Sequence, residues 1–204
     1  MDAFQELFLI EQALSTLFSV TNKLQATGDQ FLKKLTVRQI MVMIAIIHLP
    51  EDRATLNGIA KKLGTTKQSV KQLVSAMEKK GVLATAPAEN DKRAVNVSIT
   101  PAGREALAVN CELSLDYYAE VFHEFSAEEL KTFWSLLKKL YRFDGKEQDG
   151  FEEEISYGTE DGFSDSQLQA IQKFSDRRAH DTADQSVIRT ERSGHDEKAN
   201  GKSH

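Results

Sequence analysis

The stretch from residue 56 to residue 81, LNGIAKKLGTTKQSVKQLVSAMEKKG, constrains the fold more than any other part of the 204-residue chain. Apolar residues recur with the spacing of one helix face, first from Leu56 to Leu63 and again from Val70 to Met77. Gly64 can adopt the left-handed conformation that ends a helix, and Gly81 stops the second one. Two short helices joined by a tight glycine turn are typical of a helix-turn-helix, although any αα-hairpin can produce the same pattern.

The side of the second helix opposite Val70 and Met77 carries cations, amides and hydroxyls. Lysine can reach DNA phosphates, and glutamine, serine or threonine can bond to base edges, which is the mixture used by a major-groove helix. A solvated surface helix has a similar composition, so this side alone leaves both interpretations open. The candidate DNA-binding residues on it are Thr66, Lys67, Gln68, Lys71, Gln72 and Ser75.

A β-hairpin is predicted directly after this helix. Residues 82–86 form a short apolar run ending at Pro87, and residues 95–99 alternate apolar and polar side chains with period two. A two-stranded hairpin is marginal alone and must pack on the helices, which makes the unit a winged helix. Lys92 and Arg93 lie at its tip, where a wing meets the flanking minor groove.

Further amphipathic helices are predicted on both sides of this unit. An N-terminal helix with an apolar seam runs from Leu7 to Leu24 and is expected to end at Gly28. Thr36 and Gln39 resemble a capping box that opens an apolar helix over 37–49. We expect residues 31–100 to form the winged helix-turn-helix domain, the DNA-binding part of the chain.

Two more helices follow the hairpin. Thr100 and Pro101 predict the start of the first, and Ser126 with Glu129 forms a capping box for the second. The first should carry one apolar stripe, composed of Leu107, Cys111, Leu115, Tyr118, Phe122 and Phe125. Because these helices exceed what the winged helix needs for its own core, residues 1–30 and 101–143 are predicted to form a helical dimerisation region. The predicted fold class is therefore mainly α with a small β-hairpin wing.

Charge is distributed unevenly along the chain. Residues 55–104 hold nine basic and three acidic residues, a net charge of +6, whereas residues 144–204 hold eight basic and fifteen acidic residues, a net charge of −7. A local positive field steers anionic partners even when the whole chain is acidic. We expect the extension over 144–204 to be disordered except for a helical turn or two around Leu168 and Phe174. One hypothesis is that it competes with DNA for the basic segment.

Several classes of function find no support. No membrane span or secretory signal is predicted, and one cysteine fits a reducing compartment, so a cytoplasmic protein is expected. The five histidines show no ligand spacing for a metal, and no phosphate loop or nucleophile motif points to an enzyme or a cofactor. Cys111 is predicted to be a buried structural thiol, with redox sensing as the less favoured alternative.

The segment over 81–107, GVLATAPAENDKRAVNVSITPAGREAL, together with LTVRQIMVMIAII, resembles the MarR family of winged-helix transcriptional regulators over about residues 5–143. The resemblance implies a homodimer that places two recognition helices in successive major grooves of a pseudo-palindromic site. It also implies that Arg93 enters the minor groove, that Asp91 orients it, and that a small aromatic effector binds. Similar proteins carry an arginine near Thr85, which this sequence lacks, so weaker bracing of the wing is expected.

These observations predict a DNA-binding transcriptional regulator that acts as a homodimeric repressor relieved by a small-molecule effector. The alternative is a winged-helix module for protein interaction, with the acidic extension as its docking segment.

Overall fold

The computed structural model describes residues 2–50, 53–87, 94–145, 150–151, 165 and 167–179. Its contacts divide the chain into two units, Met1–Ser114 and Leu115–His204. The elements are helices α1 (Ala3–Phe31), α2 (Val37–His48), α3 (Leu56–Lys62) and α4 (Lys67–Lys79), strands β1 (Leu83–Pro87) and β2 (Val95–Ile99), and helices α5 (Pro101–Val121) and α6 (Ala127–Tyr141). A short 3-10 turn (Arg142–Asp144) follows α6, and residues 167–179 are helical. The mainly α fold with one hairpin confirms the predicted class.

The helix boundaries of the first unit follow local capping signals. The predicted capping box at α2 is present, with Gln39 N donating to Thr36 Oγ1 over 3.3 Å and Thr36 N donating to Gln39 Oε1 over 3.2 Å. Gly64 and Gly81 both have positive φ, 60° and 73°, as the helix-turn-helix pattern requires. The sequence pattern therefore located the ends of α3 and α4.

The predicted stop at Gly28 is wrong. Helix α1 continues through Gly28 to Phe31, and Gly28 is the buried residue of this helix. A glycine inside a helix costs about 1 kcal/mol relative to alanine, so it needs a reason to be there. Burial in a helix whose other residues are exposed or half-exposed marks Gly28 as a position of close packing.

The core of the first unit lies between the helix-turn-helix and the hairpin. Helix α4 packs on α2, α3 and β1 through its buried side chains Val70, Val74 and Met77. In the hairpin, Leu83 pairs with Ile99 and Pro87 with Val95, and the inward Val97 is 1% exposed. Val97 N also donates to Ala54 O over 2.8 Å, which fastens the hairpin to the segment before α3. The hairpin leans on the helices, as expected for a two-stranded sheet.

Helix α5 begins where the hairpin ends. Gly103 N donates to Thr100 Oγ1 over 3.0 Å, which confirms the predicted N-cap, and the Thr100 hydroxyl donates to Gly81 O over 2.7 Å. A Cβ at Gly103 would lie 2.1 Å from Val82 O, so only glycine fits there. This cluster joins the start of α5 to the end of α4.

The predicted apolar stripe of α5 is only partly correct. The buried positions of this helix include Leu107, Asn110, Ser114, Tyr117 and Ala119, whereas Cys111 and Tyr118 are not buried in the single chain. The helix also ends at Val121, so the last two predicted members lie beyond it. The apolar pattern did not predict the buried positions 110 and 114, because both hold polar residues.

The second unit contains the end of α5, helix α6 and the helical segment 167–179. The predicted capping box of α6 is present, with Glu129 N donating to Ser126 Oγ over 3.2 Å. Arg177 pairs with Asp116 over 2.8 Å. Arg178 donates to the carbonyl oxygens of Phe122 and Phe125 just after α5. The helical turns expected near Leu168 therefore exist, while most of the extension predicted to be disordered lies outside the described residues.

Candidate nucleic-acid interface

The candidate recognition surface is the solvent side of α4. The six predicted residues lie on this side, and five of them, Lys67, Gln68, Lys71, Gln72 and Ser75, line one open surface groove. The opposite side of α4 holds Val70, Val74 and Met77, which are at most 2% exposed. Because the apolar side is fixed in the core, the polar side is presented on a rigid helix.

Thr66 has a structural role as well as a place on this surface. Its Oγ1 accepts a hydrogen bond from Ser69 N over 3.1 Å and lies 2.9 Å from Ser69 Oγ. This N-cap satisfies a backbone N–H in the first turn of α4. The side chains that remain for contacts to DNA are two lysines, two glutamines and Ser75, which suit phosphates and base edges.

A carboxylate near this surface is hydrogen-bonded to the hairpin. Glu78 lies on the flank of α4, and its Oε1 accepts a hydrogen bond from Thr85 Oγ1 over 2.6 Å. The contact joins the recognition helix to strand β1. Thr85, near which weaker bracing of the wing was expected, therefore connects the hairpin to α4 through a neutral donor. No sequence pattern indicates this pair, because its partners come from different elements.

The predicted wing residues Asp91, Lys92 and Arg93 lie outside the described residues. Their roles as minor-groove contacts stay predictions. The paired ends of the hairpin, Pro87 and Val95, establish that residues 88–94 connect β1 to β2.

Other chemistries receive no support from the described part of the chain. No three His, Cys, Asp or Glu side chains there converge on a possible metal site. No helix in the described ranges is long and apolar enough to cross a membrane. Burial raises the pKa of the Cys111 thiol, and the charge of Glu112 raises it further, so the thiolate is disfavoured at neutral pH. The prediction of a buried structural thiol is wrong for the single chain, since Cys111 is exposed.

Comparison with known proteins agrees with this geometry. A sequence model of the MarR family matches residues 33–94. The transcriptional activatory protein BadR of Rhodopseudomonas palustris is 30% identical over 129 residues, which cover 61% of this chain and 74% of that protein.

Solved structures share the fold. A cysteine-to-serine mutant of Escherichia coli MarR complexed with operator DNA superposes with a TM-score of 0.56 at 24% identity, covering 69% of this chain and 99% of that one. BpsR of Bordetella bronchiseptica superposes with a TM-score of 0.55 at 21% identity, covering 64% and 98%. The family match and the relative with 74% of its length covered show that this chain belongs to the MarR family and is a DNA-binding transcriptional regulator of that type, not an enzyme.

Proposed function

We propose that this regulator binds a pseudo-palindromic site in double-stranded DNA as a homodimer, with α4 of each protomer in a major groove. The observation that carries the proposal is the composition of the exposed side of α4. Lys67 and Lys71 supply positive charge, Gln68 and Gln72 supply paired donors and acceptors, and the nearby carboxylate of Glu78 is bonded to Thr85. Such a surface suits phosphates and adenine edges and repels neither.

Support for the homodimer comes from exposed apolar side chains on α1 and α6, which lie outside the predicted winged helix-turn-helix domain. On α1, Phe4 is 86%, Phe8 61% and Phe18 66% exposed, and on α6, Leu136 is 60% and Leu140 50% exposed. Apolar surface of this extent on a folded chain marks an interaction site. A two-fold interface that covers the apolar side of α1 would bury it and would place two copies of α4 on one duplex.

The wing completes the proposed contact with DNA. Arg93 and Lys92 would enter the minor groove beside each half-site, with Asp91 orienting the arginine. Narrow A·T-rich minor grooves concentrate negative potential and favour arginine there.

Regulation by a small aromatic effector is part of the proposal. Its support is BpsR, whose DNA binding is regulated by 6-hydroxynicotinic acid. The direction of regulation is proposed as repression relieved by the effector, although the relative BadR is described as activatory. A promoter–reporter assay with and without this gene decides the direction, because loss of a repressor raises expression and loss of an activator lowers it.

The DNA-binding part is tested by selecting genomic fragments with the full-length protein. We expect recovered fragments to share two inverted half-sites whose centres lie about 10 base pairs, or a multiple of that, apart. Replacing Gln72 by Ala should relax the preference at one base pair in each half-site, at symmetric positions, by about 1–3 kcal/mol. Recovery of no common sequence would favour the protein-interaction alternative.

The dimer is tested separately by analytical ultracentrifugation. Phe8→Glu places a charge on the exposed apolar surface of α1 and should shift the protein toward monomer. Ile47→Glu is the matched control, since Ile47 on α2 is 59% exposed and lies outside the proposed interface. A dimer that tolerates Phe8→Glu as well as Ile47→Glu would contradict the proposed interface.

A further inference from the structure

The linker between α1 and α2 contains a strained turn at Lys34. Lys34 has a φ of 63°, and no other non-glycine residue in the described ranges has a positive φ. Leu35 N donates to Lys33 O over 2.7 Å, a hydrogen bond between residues two apart that defines a γ-turn. The form with positive φ is rare and persists only when the surroundings hold it.

One support of this turn comes from α5. Asn110 is 1% exposed, and its side-chain amide binds both backbone groups of Lys33. Lys33 N donates to Asn110 Oδ1 over 2.9 Å, and Asn110 Nδ2 donates to Lys33 O over 3.0 Å. The same Nδ2 donates to Ala106 O over 2.7 Å, which fixes the rotamer of Asn110. The linker is therefore held to α5 at two points.

A second support comes from the end of the recognition helix. Lys80 is the C-cap residue of α4, and its Nζ donates to Lys34 O over 2.6 Å and to Gln39 Oε1 over 2.9 Å. Gln39 is 6% exposed, and its Oε1 also accepts from Thr36 N in the capping box of α2. One ammonium group thus connects the end of α4 to the strained turn and to the start of α2.

Helix α1 is fastened to α2 beside the same turn. Val37 N donates to Asp29 Oδ1 over 2.6 Å, and Arg38 Nε donates to Gln25 Oε1 over 2.8 Å. Elements α1, α2, α4 and α5 of the first unit therefore all hydrogen-bond within the few residues around Lys34. Together these contacts hold the linker in a conformation that is unfavourable by itself, so the turn depends on them.

We propose that this turn couples the recognition helix to the dimerisation helices, and that Lys80 and Asn110 are positioning residues for DNA binding. By holding α4 at one position relative to α1 and the first turns of α5, they set the distance between the two recognition helices and so the preferred spacing of the half-sites. The inference rests on the proposed homodimer and its two half-sites. Neither residue needs to contact DNA to have this effect.

The spacing of half-sites provides the test. A duplex selected by the wild-type protein is remade with its half-site centres moved by about one or two base pairs in either direction from the selected spacing. Affinities are measured for the full-length wild type, Lys80→Met and Lys79→Met. Methionine keeps most of the length of the lysine chain and removes the donor. Lys79→Met removes the same charge from the same helix end and serves as the matched control.

We expect the wild type to prefer one spacing. The ratio of its affinities for the best and neighbouring spacings should fall by about fivefold in Lys80→Met, which corresponds to the net contribution of one hydrogen bond. Lys79→Met should bind all spacings more weakly, with an unchanged ratio. A purely structural role for Lys80 would lower stability without changing this ratio. Equal ratios in Lys80→Met and the wild type would overturn the inference.

Hydrogen exchange on the DNA-free protein tests the coupling independently of DNA. The amides of Lys33 and Leu35 should exchange faster in Lys80→Met than in Lys79→Met, although Lys80 bonds to neither amide directly. Unchanged exchange at both amides would also overturn the inference. If the wild-type protein selects no duplex, the proposed function fails, and hydrogen exchange alone decides whether the turn is coupled to α4.

Discussion

Replacing Asn110 by Ala should destabilise the protein far more than an ordinary substitution on a helix. Lys33 N would lose its partner in a partly buried place, at a cost of about 1–3 kcal/mol. Lys33 O keeps the bond from Leu35 N, so loss of the Asn110 Nδ2 contacts adds only about 0.5–1.5 kcal/mol. Alanine is the better helix former by up to about 0.7 kcal/mol, which offsets part of the loss. We expect a net loss of about 2 kcal/mol in the free energy of unfolding.

Urea unfolding followed by circular dichroism measures this difference, at one fixed protein concentration because dimer stability depends on concentration. The loss corresponds to about 4–8 °C in Tm for a chain of this size. Ser114→Ala is the matched control one turn along α5. The Ser114 hydroxyl donates to Asn110 O within its own helix, over 2.7 Å, so its removal should change stability by less than about 1 kcal/mol. Equal losses of unfolding free energy in the two variants would contradict a stabilising role for the hydrogen bonds between Asn110 and Lys33.

Thr85, Lys34 and Cys111 each provide a further prediction. Thr85→Val removes the hydrogen-bond donor to Glu78 and frees that carboxylate beside α4. Titration with the selected duplex should therefore show weaker binding. Binding unchanged from the wild type would mean that the hydrogen bond between Thr85 and Glu78 is unimportant for DNA binding. Lys34→Gly removes the strain of a left-handed residue, which is about 1–2 kcal/mol. Its midpoint of urea unfolding should therefore exceed that of Lys33→Gly, where no positive φ is relieved. The reverse order would contradict a strained turn. Cys111 has a raised pKa, so less thiolate is present at neutral pH. Alkylation of Cys111 by iodoacetamide should be slower than alkylation of free cysteine, and its rate should keep increasing as the pH rises past the ordinary thiol pKa. Equal rates at neutral pH would contradict the raised pKa.

Local signals explain why much of the fold could be predicted from sequence. The capping pairs Thr36–Gln39 and Ser126–Glu129 and the glycine turn at Gly64 act over three or four residues, so the sequence pattern contains both partners. The solvent side of α4 was predictable for the same reason. Its apolar positions define its polar side by helical periodicity alone.

Contacts between distant residues account for what could not be predicted. Asn110 binds Lys33 across 77 positions of sequence, and Lys80 binds Lys34 across 46. Lysine has no preference for positive φ, so nothing local marks Lys34 as the turn. The one available signal was that Asn110 follows Leu107 by three residues, a spacing at which a polar residue shares the side of a buried one.

The salt dependence of DNA binding tests the central claim most directly. The logarithm of the association constant for the selected duplex should fall linearly with the logarithm of salt concentration, because lysine contacts release counterions from phosphates. Lys71→Met should make that slope shallower by about one, whereas Lys173→Met, an exposed lysine in the helical segment 167–179, should leave it unchanged. Affinity that does not depend on salt, or a slope equally affected by both variants, would contradict the assignment of α4 as the surface that binds DNA.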